Sequence, residues 1–431
     1  MQEKRKLFRR IAGMLQARFA DADLGQVKDP RSRRGQVWPW KTLVTATCVG
    51  MAAGCRSFLQ TEELTEEMSR TVGRRFGLHR RVPDTTMRTP LMRVEPDEVR
   101  ARLRAQVHAA WRRKALVPRT FPFGVVALDG KSTAIEAWDE RYSQQQGNHG
   151  VVRLFTASLV SAPAAVCLDA APIPSATNEM GHFCQAFDEL MAAYGRGGLF
   201  RVVSTDAGSC SEDNARHVVE THGRDYLFGL KGPQVELNRE ARRLLARRGP
   251  QDADARTEDV SSTYVVTRRL YLTTEMAGFH GWAHLRTVLR VESETLDLRT
   301  GEVVPQDEDE VNRYFVSSLG VDALTPEQWL RLVRMHWRVE NDCHHTWDTA
   351  FAEDDHPWVV SEPQGVVVLM LLRRLVYNAL ALFRSVSLRA EESRRTPWKT
   401  LLRWVRHTLL AARNEDLAGI RMREEAPPVG L

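Results

Sequence analysis

The chain reads as a mixed α/β protein: a helical N-terminal region, a core of alternating strands and helices, a β-rich stretch, and C-terminal helices. Three observations predict it. The hydrophobic period is helical up to about residue 115, and it changes after LVPRTFPFG, where short apolar runs begin. Those runs alternate with helical patterns to about Arg248. From Gly249 to Gln306 the alternation becomes β-like, in TYVVTRRLYLTT and AHLRTVLRVESETLDL. With 431 residues the chain can hold two or three domains and a sizeable core. The expected divisions are 1–115, 120–248, 249–311, 312–385 and 386–431.

The elements follow in order. Lys4 to Arg18 carries apolar residues at helical spacing, Trp40 to Gly54 is a strongly apolar helix, and Gln60 to Phe76 is a shorter segment. Asp84 is placed as an N-cap, and Pro96 suits the first turn of a long amphipathic helix. Short helices, Arg and tight turns in this region are compatible with helix-turn-helix DNA binding. FGVVALDG is strand one. VVRLFTASLVSA and AAVCLDAAPIP are strands two and three, joined by a Pro-containing turn. Asn178 to Tyr194 is a helix, and FRVVSTD is strand four, ending on Asp206. SEDNARHVVETHG is a helix capped by Ser211 and stopped by Gly223. RDYLFGLK is strand five, followed by a helix from Gln234 to Arg248. After the β-rich stretch NRYFVSSL is one more strand, and Thr325 caps a long helix that carries Glu340, with Pro326 in its first turn. Gly365 to Ser385 and Trp398 to Ala412 are further helices, and the tail REEAPPVGL has the composition of a disordered segment.

The net charge is +6, from 61 Lys and Arg against 55 Asp and Glu, but the basic residues cluster in KRKLFRR, DPRSRRGQVWPWK and RTVGRRFGLHRR. Clustered Arg with interleaved Trp and Phe points to a polyanion, most plausibly nucleic acid. The six cysteines show no C-x-x-C pairing and sit mostly in apolar runs, so they read as small buried hydrophobes and fit a reducing cytoplasm. The charged N-terminus lacks the apolar core of a signal peptide. TLVTATCVGMAAG is too short to span a bilayer, and GVVVLMLLRRLVYNALALF is broken by Arg373 and Arg374, so both read as buried helices.

The chemistry gathers at three stretches. In RMHWRVENDCHHTWDTAFAEDD, His336, Glu340, His344 and Asp348 recur every fourth residue and are expected on one helical face. In LDGKS and VVSTDAGSCSEDN, Asp129 and Asp206 each follow an apolar run, where a strand ends. Strand ends next to one another can bring two aspartates together, and a packed helix can add a third carboxylate. Three such groups repel unless divalent cations neutralise them, and hard oxygen ligands suit Mg²⁺ or Mn²⁺. Two ions about 3.5–4 Å apart could activate a water or a 3′-hydroxyl and stabilise the leaving oxygen at phosphorus. Lys131, just after Asp129, could contact a phosphate. A mononuclear site on His336, Glu340 and His344 is less suitable, because residues two turns apart lie about 12 Å apart along the axis. Trp337 and Trp347 are read as helix packing, and Cys210 and Cys343 as buried thiols.

At these residues the chain resembles the DDE transposases of bacterial insertion sequences, and most closely the ISAs group with its H-repeat-associated proteins. DPRSRRGQ with the following apolar helix resembles the family's N-terminal associated domain. LDGKS resembles its first catalytic block and SATNEM its K-S-N-E-I block. STDAGSCSEDNARHVVETHGRDYLFGLKGPQVEL resembles the second block with a downstream K-x-N-Q motif that contains Lys231. HWRVENDCHHTWDTAFAEDD resembles the third block. The resemblance implies an RNase H-like core with a β-rich insertion, and Asp129, Asp206 and Glu340 as the metal-binding and catalytic triad for two Mg²⁺ or Mn²⁺ ions. It implies double-stranded DNA as partner, both element terminal repeats and target, with a homodimer acting on two ends in the bacterial cytoplasm at the nucleoid. Lys131, Lys231, His336, Asn341, His344 and Asp348 are supporting or DNA-contacting candidates, and Glu353 and Asp354 occupy further matching positions. The chain departs from the family at Cys343-His344-His345, Trp347, Thr177 and Pro233, and in STAIEAW after LDGK. The alternatives are a domesticated RNase H-like nuclease and a catalytically inactive DNA-binding descendant.

Overall fold

The computed structural model describes residues 2–232, 234–388 and 394–420. Pro233 and the tail REEAPPVGL lie outside the described residues. The chain opens with six helices, α1 (Gln2–Ala22), α2 (Trp40–Ala52), α3 (Phe58–Glu67), α4 (Arg70–Phe76), α5 (Asp84–Leu91) and α6 (Pro96–Arg112). Pro96 occupies the first turn of α6 as expected, but Asp84 is the first helical residue of α5 and Pro83 is its cap. Next come β1 (Val125–Ile135), β2 (Ser143–Gln146), β3 (His149–Leu159), β4 (Val166–Pro172), α7 (Glu179–Tyr194), β5 (Val202–Thr205), α8 (Glu212–Arg216), β6 (Asp225–Leu230) and α9 (Val235–Leu245). The β-rich stretch is β7 (Ala255–Val260), β8 (Tyr264–Thr273) and β9 (Thr287–Asp297), and α10 (Glu308–Val311) precedes β10 (Asn312–Ser317). The chain ends with α11 (Pro326–His336), α12 (His345–Thr349), α13 (Pro363–Leu382) and α14 (Trp398–Ala411). Two strands are not visible in the sequence pattern. Neither SQQQ in β2 nor ARTEDV in β7 carries an apolar run.

The chain separates into two compact units. One comprises Met1–Ala115, Ser132–Val152 and His344–Leu431, the other Leu116–Lys131 and Arg153–Cys343. In the first unit α13 packs against α1, α2 and α6. Nineteen of its residues are buried, and it is the one described helix long and apolar enough to cross a membrane, yet that whole stretch lies inside the structure. Burial of a largely apolar helix among other helices explains its composition without a bilayer. Arg373 and Arg374 are held inside by acids, chiefly Glu353, itself fully buried, with Asp354 adding charge toward Arg373: Arg374 Nη2 donates to Glu353 Oε1 at 2.8 Å, and Arg373 Nη1 lies 3.7 Å from Glu353 Oε2. Trp347, fully buried, takes the Arg374 guanidinium on its ring face at 4.1 Å, so its role is packing.

In the second unit the strands run β4-β3-β1-β5-β6-β10-β9-β8-β7. β1, β5 and β6 are mutually parallel, whereas β3 with β4, β6 with β10 and the run from β10 to β7 pair antiparallel. If the β2 hairpin is set aside, the first five strands in chain order lie third, second, first, fourth, fifth across the sheet, which is an RNase H-like arrangement. The strands β7 to β9 extend that same sheet beyond β10. One face is covered by α11: Val125, Ala127, Val202, Leu227, Leu289 and Phe315 form a core with Trp329, Leu330, Val333 and Val339. Helix α11 starts where the sequence places it. Thr325 and Gln328 form a reciprocal capping box, with Thr325 N donating to Gln328 Oε1 at 2.9 Å.

Candidate active site

The two aspartates are brought side by side by strand register. β1 pairs with β5 in parallel, with Leu128 opposite Thr205. Asp206 is the next residue after the end of β5, whereas Asp129 follows Leu128 inside β1, which runs on to Ile135, so the strand end expected at Asp129 is not one; the two acids stand side by side where the parallel pairing of β1 with β5 stops. Side chains alternate along a strand. Asp129 therefore shares the face of Val125 and Ala127, and Asp206 that of Val202, which is the face packed by α11. Asp206 also caps a short turn, its Oδ1 accepting from Gly208 N at 2.9 Å.

Glu340 arrives on the same face at the end of α11, but not on a continuous α-helix. The helix stops at His336, and Val339–His344 forms a π turn with i→i+5 bonding before α12 begins. The wider turn breaks the four-residue periodicity, so the expected common face of His336, Glu340, His344 and Asp348 does not exist. His336 is instead buried in the core, its Nδ1 3.1 Å from Ser204 Oγ on β5. Burial pushes it down to about 4, so it is neutral near pH 7 and holds α11 against β5, correcting the expectation that it faces metal or DNA. Arg338 anchors the turn. Its Nε donates to Asp342 Oδ2 at 2.8 Å, and its Nη1 to the carbonyls of Val160 and, at 3.1 Å, of Ala162. Asn341 is exposed in the turn. His344 is buried in the first unit with its ring 5.1 Å from that of Trp347, and Asp348 is half-buried on α12 of that unit.

Electrostatics ties the carboxylates together. Burial pushes Asp129 up to about 8, and the charges of Glu340, Asp206 and Glu179 add to the rise against a backbone hydrogen bond from Gly130. Glu340 is raised by burial; Arg313 opposes this and Asp206 adds to it. Glu179, the first residue of α7, is a fourth acid at the site, raised by burial and by Asp206 and opposed by Arg153. A Cβ on Gly130 would stand 1.9 Å from Glu179 Oε1, so the glycine in LDGK lets that carboxylate lie close against β1. Gly229 on β6 likewise leaves room for the Asp206 turn, since a Cβ there would meet Ala207 N at 3.0 Å. Asn178 caps α7, its Oδ1 accepting from Gly181 N at 3.0 Å, and so directs Glu179 at the strand ends. The Asn-Glu pair in SATNEM is the sequence signal for this acid. Motif matching marks the pair, but its charge role emerges only from the packing of α7 on the strand ends. The all-oxygen donor set of Asp129, Asp206, Glu340 and Glu179 fits a hard divalent cation, which would relieve the repulsion that raises them.

Beside this cluster lies a groove of about 910 Å³, lined by Asp206 and Glu340 and by Lys231, Arg239, Arg242 and Arg313. Arg313 lies with its guanidinium 4.4 Å from the centre of the Trp337 ring. Arg242 is held by Glu308 at 3.1 Å and Asp309 at 2.6 Å. Lys231, at the end of β6, is exposed, whereas Lys131 is buried on the Asp129 face of β1 rather than on the surface. Arg313, Arg239 and Arg242 lie outside every sequence motif of the catalytic blocks, and only the pairing of β10 with β6 brings Arg313 to the groove. Cys210 is buried and pushed up to about 12 by that burial, and Cys343 is also buried, so neither is a reactive thiol.

No family model matches the chain. It is 28% identical over 241 residues to the "H repeat-associated putative transposase YhhI" of Escherichia coli (strain K12), covering 54% of this chain and 57% of that protein. It is 29% identical over 163 residues to the "Putative protein YbfL" of the same organism, covering 36% of this chain and 41% of that one. The chain thus spans about half the length of the curated relatives it matches. Among solved structures, a piggyBac transposase synaptic complex with hairpin DNA aligns over 99% of this chain and 86% of its own, at 12% identity and a TM-score of 0.43, a level that carries no fold assignment. The first of these relatives agrees with the transposase resemblance read from the motifs.

Proposed function

We propose that the chain is the transposase of a bacterial insertion sequence of the ISAs type, which binds the terminal repeats of its element, cuts there and joins the freed 3′ ends to target DNA. The observation that carries this is the adjacency of Asp129 and Asp206 where the parallel pairing of β1 with β5 stops, with Glu340 on the same face. Two Mg²⁺ or Mn²⁺ ions bound there would neutralise charge at phosphorus and lower the pKa of the attacking water or 3′-hydroxyl. Asp129, Asp206 and Glu340 hold that site, and Glu179 completes its oxygen set. Lys231 and Arg313 orient the phosphate backbone along the groove, in the manner of phosphate contacts that position rather than specify. Lys131 and Asn341 are kept as supporting residues, and His336 acts only by holding α11. The helical region 1–115 is the DNA-binding part, 249–311 the β-rich insertion within the core segments 120–248 and 312–385, and 386–431 the C-terminal part. The protein works in the cytoplasm as a homodimer on two DNA ends.

The test is cleavage of a labelled duplex carrying the flanking genomic ends, with Mg²⁺, Mn²⁺ or EDTA. Nicking at the element boundary that requires the metal, and that Asp206→Ala and Glu340→Ala each abolish while sparing DNA binding, is the expected result. An active Glu340→Ala variant would sink the triad, and tight end binding without any cut would favour an inactive descendant.

A further inference from the structure

A second set of ligand-type side chains stands apart from the carboxylate cluster. Asp188 lies on α7, nine residues beyond Glu179 and so about 13 Å along the helix. His217 opens the π turn His217–Thr221 that continues α8, and His222 follows it. Nε2 of His217 and Nε2 of His222 lie 2.7 Å and 2.6 Å from one and the same atom, Asp188 Oδ1. The three ligand atoms lie within 4.8 Å of one another.

The π turn is what makes this convergence possible. In an α-helix the fifth residue on is rotated by roughly 140° and points elsewhere. With i→i+5 bonding the turn holds between four and five residues, so the fifth returns close to the same side, and such turns are frequent at functional sites. HVVETH would be a poor ligand pair on an ordinary helix and becomes a good one here. The two rings stand nearly perpendicular, 5.0 Å between centroids and 82° between planes, and Phe187 supports the His222 ring edge-on at 5.2 Å. Nδ1 of His217 lies 3.3 Å from Thr221 Oγ1, an outer hydrogen bond of the kind that fixes the tautomer of a ligating imidazole. The side chains are reachable from solvent, with Asp188 52% exposed, His217 20% and His222 16%.

We propose that Asp188, His217 and His222 form a second metal site, for a borderline transition-metal ion of the Zn²⁺ type, separate from the Mg²⁺ centre. Two imidazoles and one carboxylate suit Zn²⁺, Ni²⁺ or Cu²⁺, whereas Mg²⁺ prefers oxygen and water. Bonds of about 2.0–2.1 Å in a tetrahedron put ligand atoms about 3.3 Å apart. Each imidazole then backs away from Asp188 by about 0.7 Å, a shift the exposed carboxylate absorbs, and a water fills the fourth position. The ion clamps α7, whose first residue is Glu179, to the segment that follows the Asp206 turn. It therefore braces two carriers of the catalytic acids without touching the reacting atoms.

The test uses the full chain in saturating Mg²⁺, which fills the all-oxygen centre, and titrates Zn²⁺ or Co²⁺. One equivalent of Zn²⁺ binding tightly, a Tm raised by Zn²⁺, and the visible absorption of tetrahedral nitrogen-ligated Co²⁺ are expected. His217→Ala and His222→Ala should each weaken binding roughly 10–100-fold, as loss of a ligand or its support does. Asp206→Asn should leave Zn²⁺ binding intact. No uptake of Zn²⁺, an octahedral oxygen-type Co²⁺ spectrum of the wild type, or binding lost in Asp206→Asn but kept in the histidine variants overturns the site. The wild-type Co²⁺ spectrum discriminates between these outcomes even where a variant fails to fold.

Discussion

Asp129→Asn should stabilise the metal-free protein, in a pH-dependent way that can be worked from its surroundings. Burial and the charges of Glu340, Asp206 and Glu179 raise Asp129 from 3.8 to about 8. In the unfolded chain it ionises near pH 4, so between about pH 4 and pH 8 the unfolded state binds fewer protons than the folded one. Stability without metal therefore falls as pH rises through that window, and levels off above it. A rise of about four units corresponds to at most about 6 kcal/mol, of which about half is a realistic share once the neighbouring acids adjust. Asn has the same shape and no charge, so the variant should match the wild type at pH 4 and exceed it by several kcal/mol at pH 9. Urea unfolding in EDTA from pH 4 to pH 9, followed by tryptophan fluorescence, reads this directly. Mg²⁺ should close most of the gap at pH 8: at about 100 times its Kd it contributes about 2.7 kcal/mol to the wild type, close to the charge penalty there, and little to the variant. Parallel wild-type and variant curves across the window would refute the proposition that Asp129 sits in a crowd of like charges.

Three further outcomes follow from single contacts. Glu353→Ala leaves the buried Arg374 without its ion-pair partner and Arg373 with only the charge of Asp354, and should cost roughly 3–5 kcal/mol in urea unfolding; a cost under about 1 kcal/mol would contradict the buried Glu353–Arg373–Arg374 cluster. Arg338→Ala removes the tie between the Glu340 turn and the Val160 and Ala162 carbonyls, so strand cleavage should drop roughly 100-fold with DNA affinity retained, whereas unchanged rates would show the turn to be held otherwise. Gly130→Ala places a methyl against Glu179 Oε1 and should displace that carboxylate at little cost to the metal-free fold while weakening Mg²⁺ stabilisation; full Mg²⁺ response in this variant would remove Glu179 from the site.

Much of the framework is legible because its signals are local. Thr325, Ser211 and Asn178 each cap a helix through their own side chain, and each is readable as a cap or a helix boundary. Apolar runs mark β1, β3, β4, β5, β6 and β10, and the Arg pair in α13 is enough to argue for a buried helix rather than a span. The misses have physical causes. β2 and β7 are half-polar strands held by their partners, so no apolar run announces them. The groove arginines belong to no motif, and their meeting depends on the pairing of β6 with β10, more than eighty residues apart.

The sequence by itself determined most of the elements and singled out Asp129, Asp206 and Glu340, since capping, period and an aspartate after an apolar run are written in neighbouring residues. The tertiary structure alone decided which of those residues meet. The parallel register of β1 on β5 sets Asp129 beside Asp206, burial takes His336 out of the site and adds Glu179 to it, and two π turns re-aim Glu340 and His222. An i→i+5 turn and an i→i+4 turn can share one local pattern, and long-range packing chooses between them, so side-chain facing follows from the fold and not from spacing.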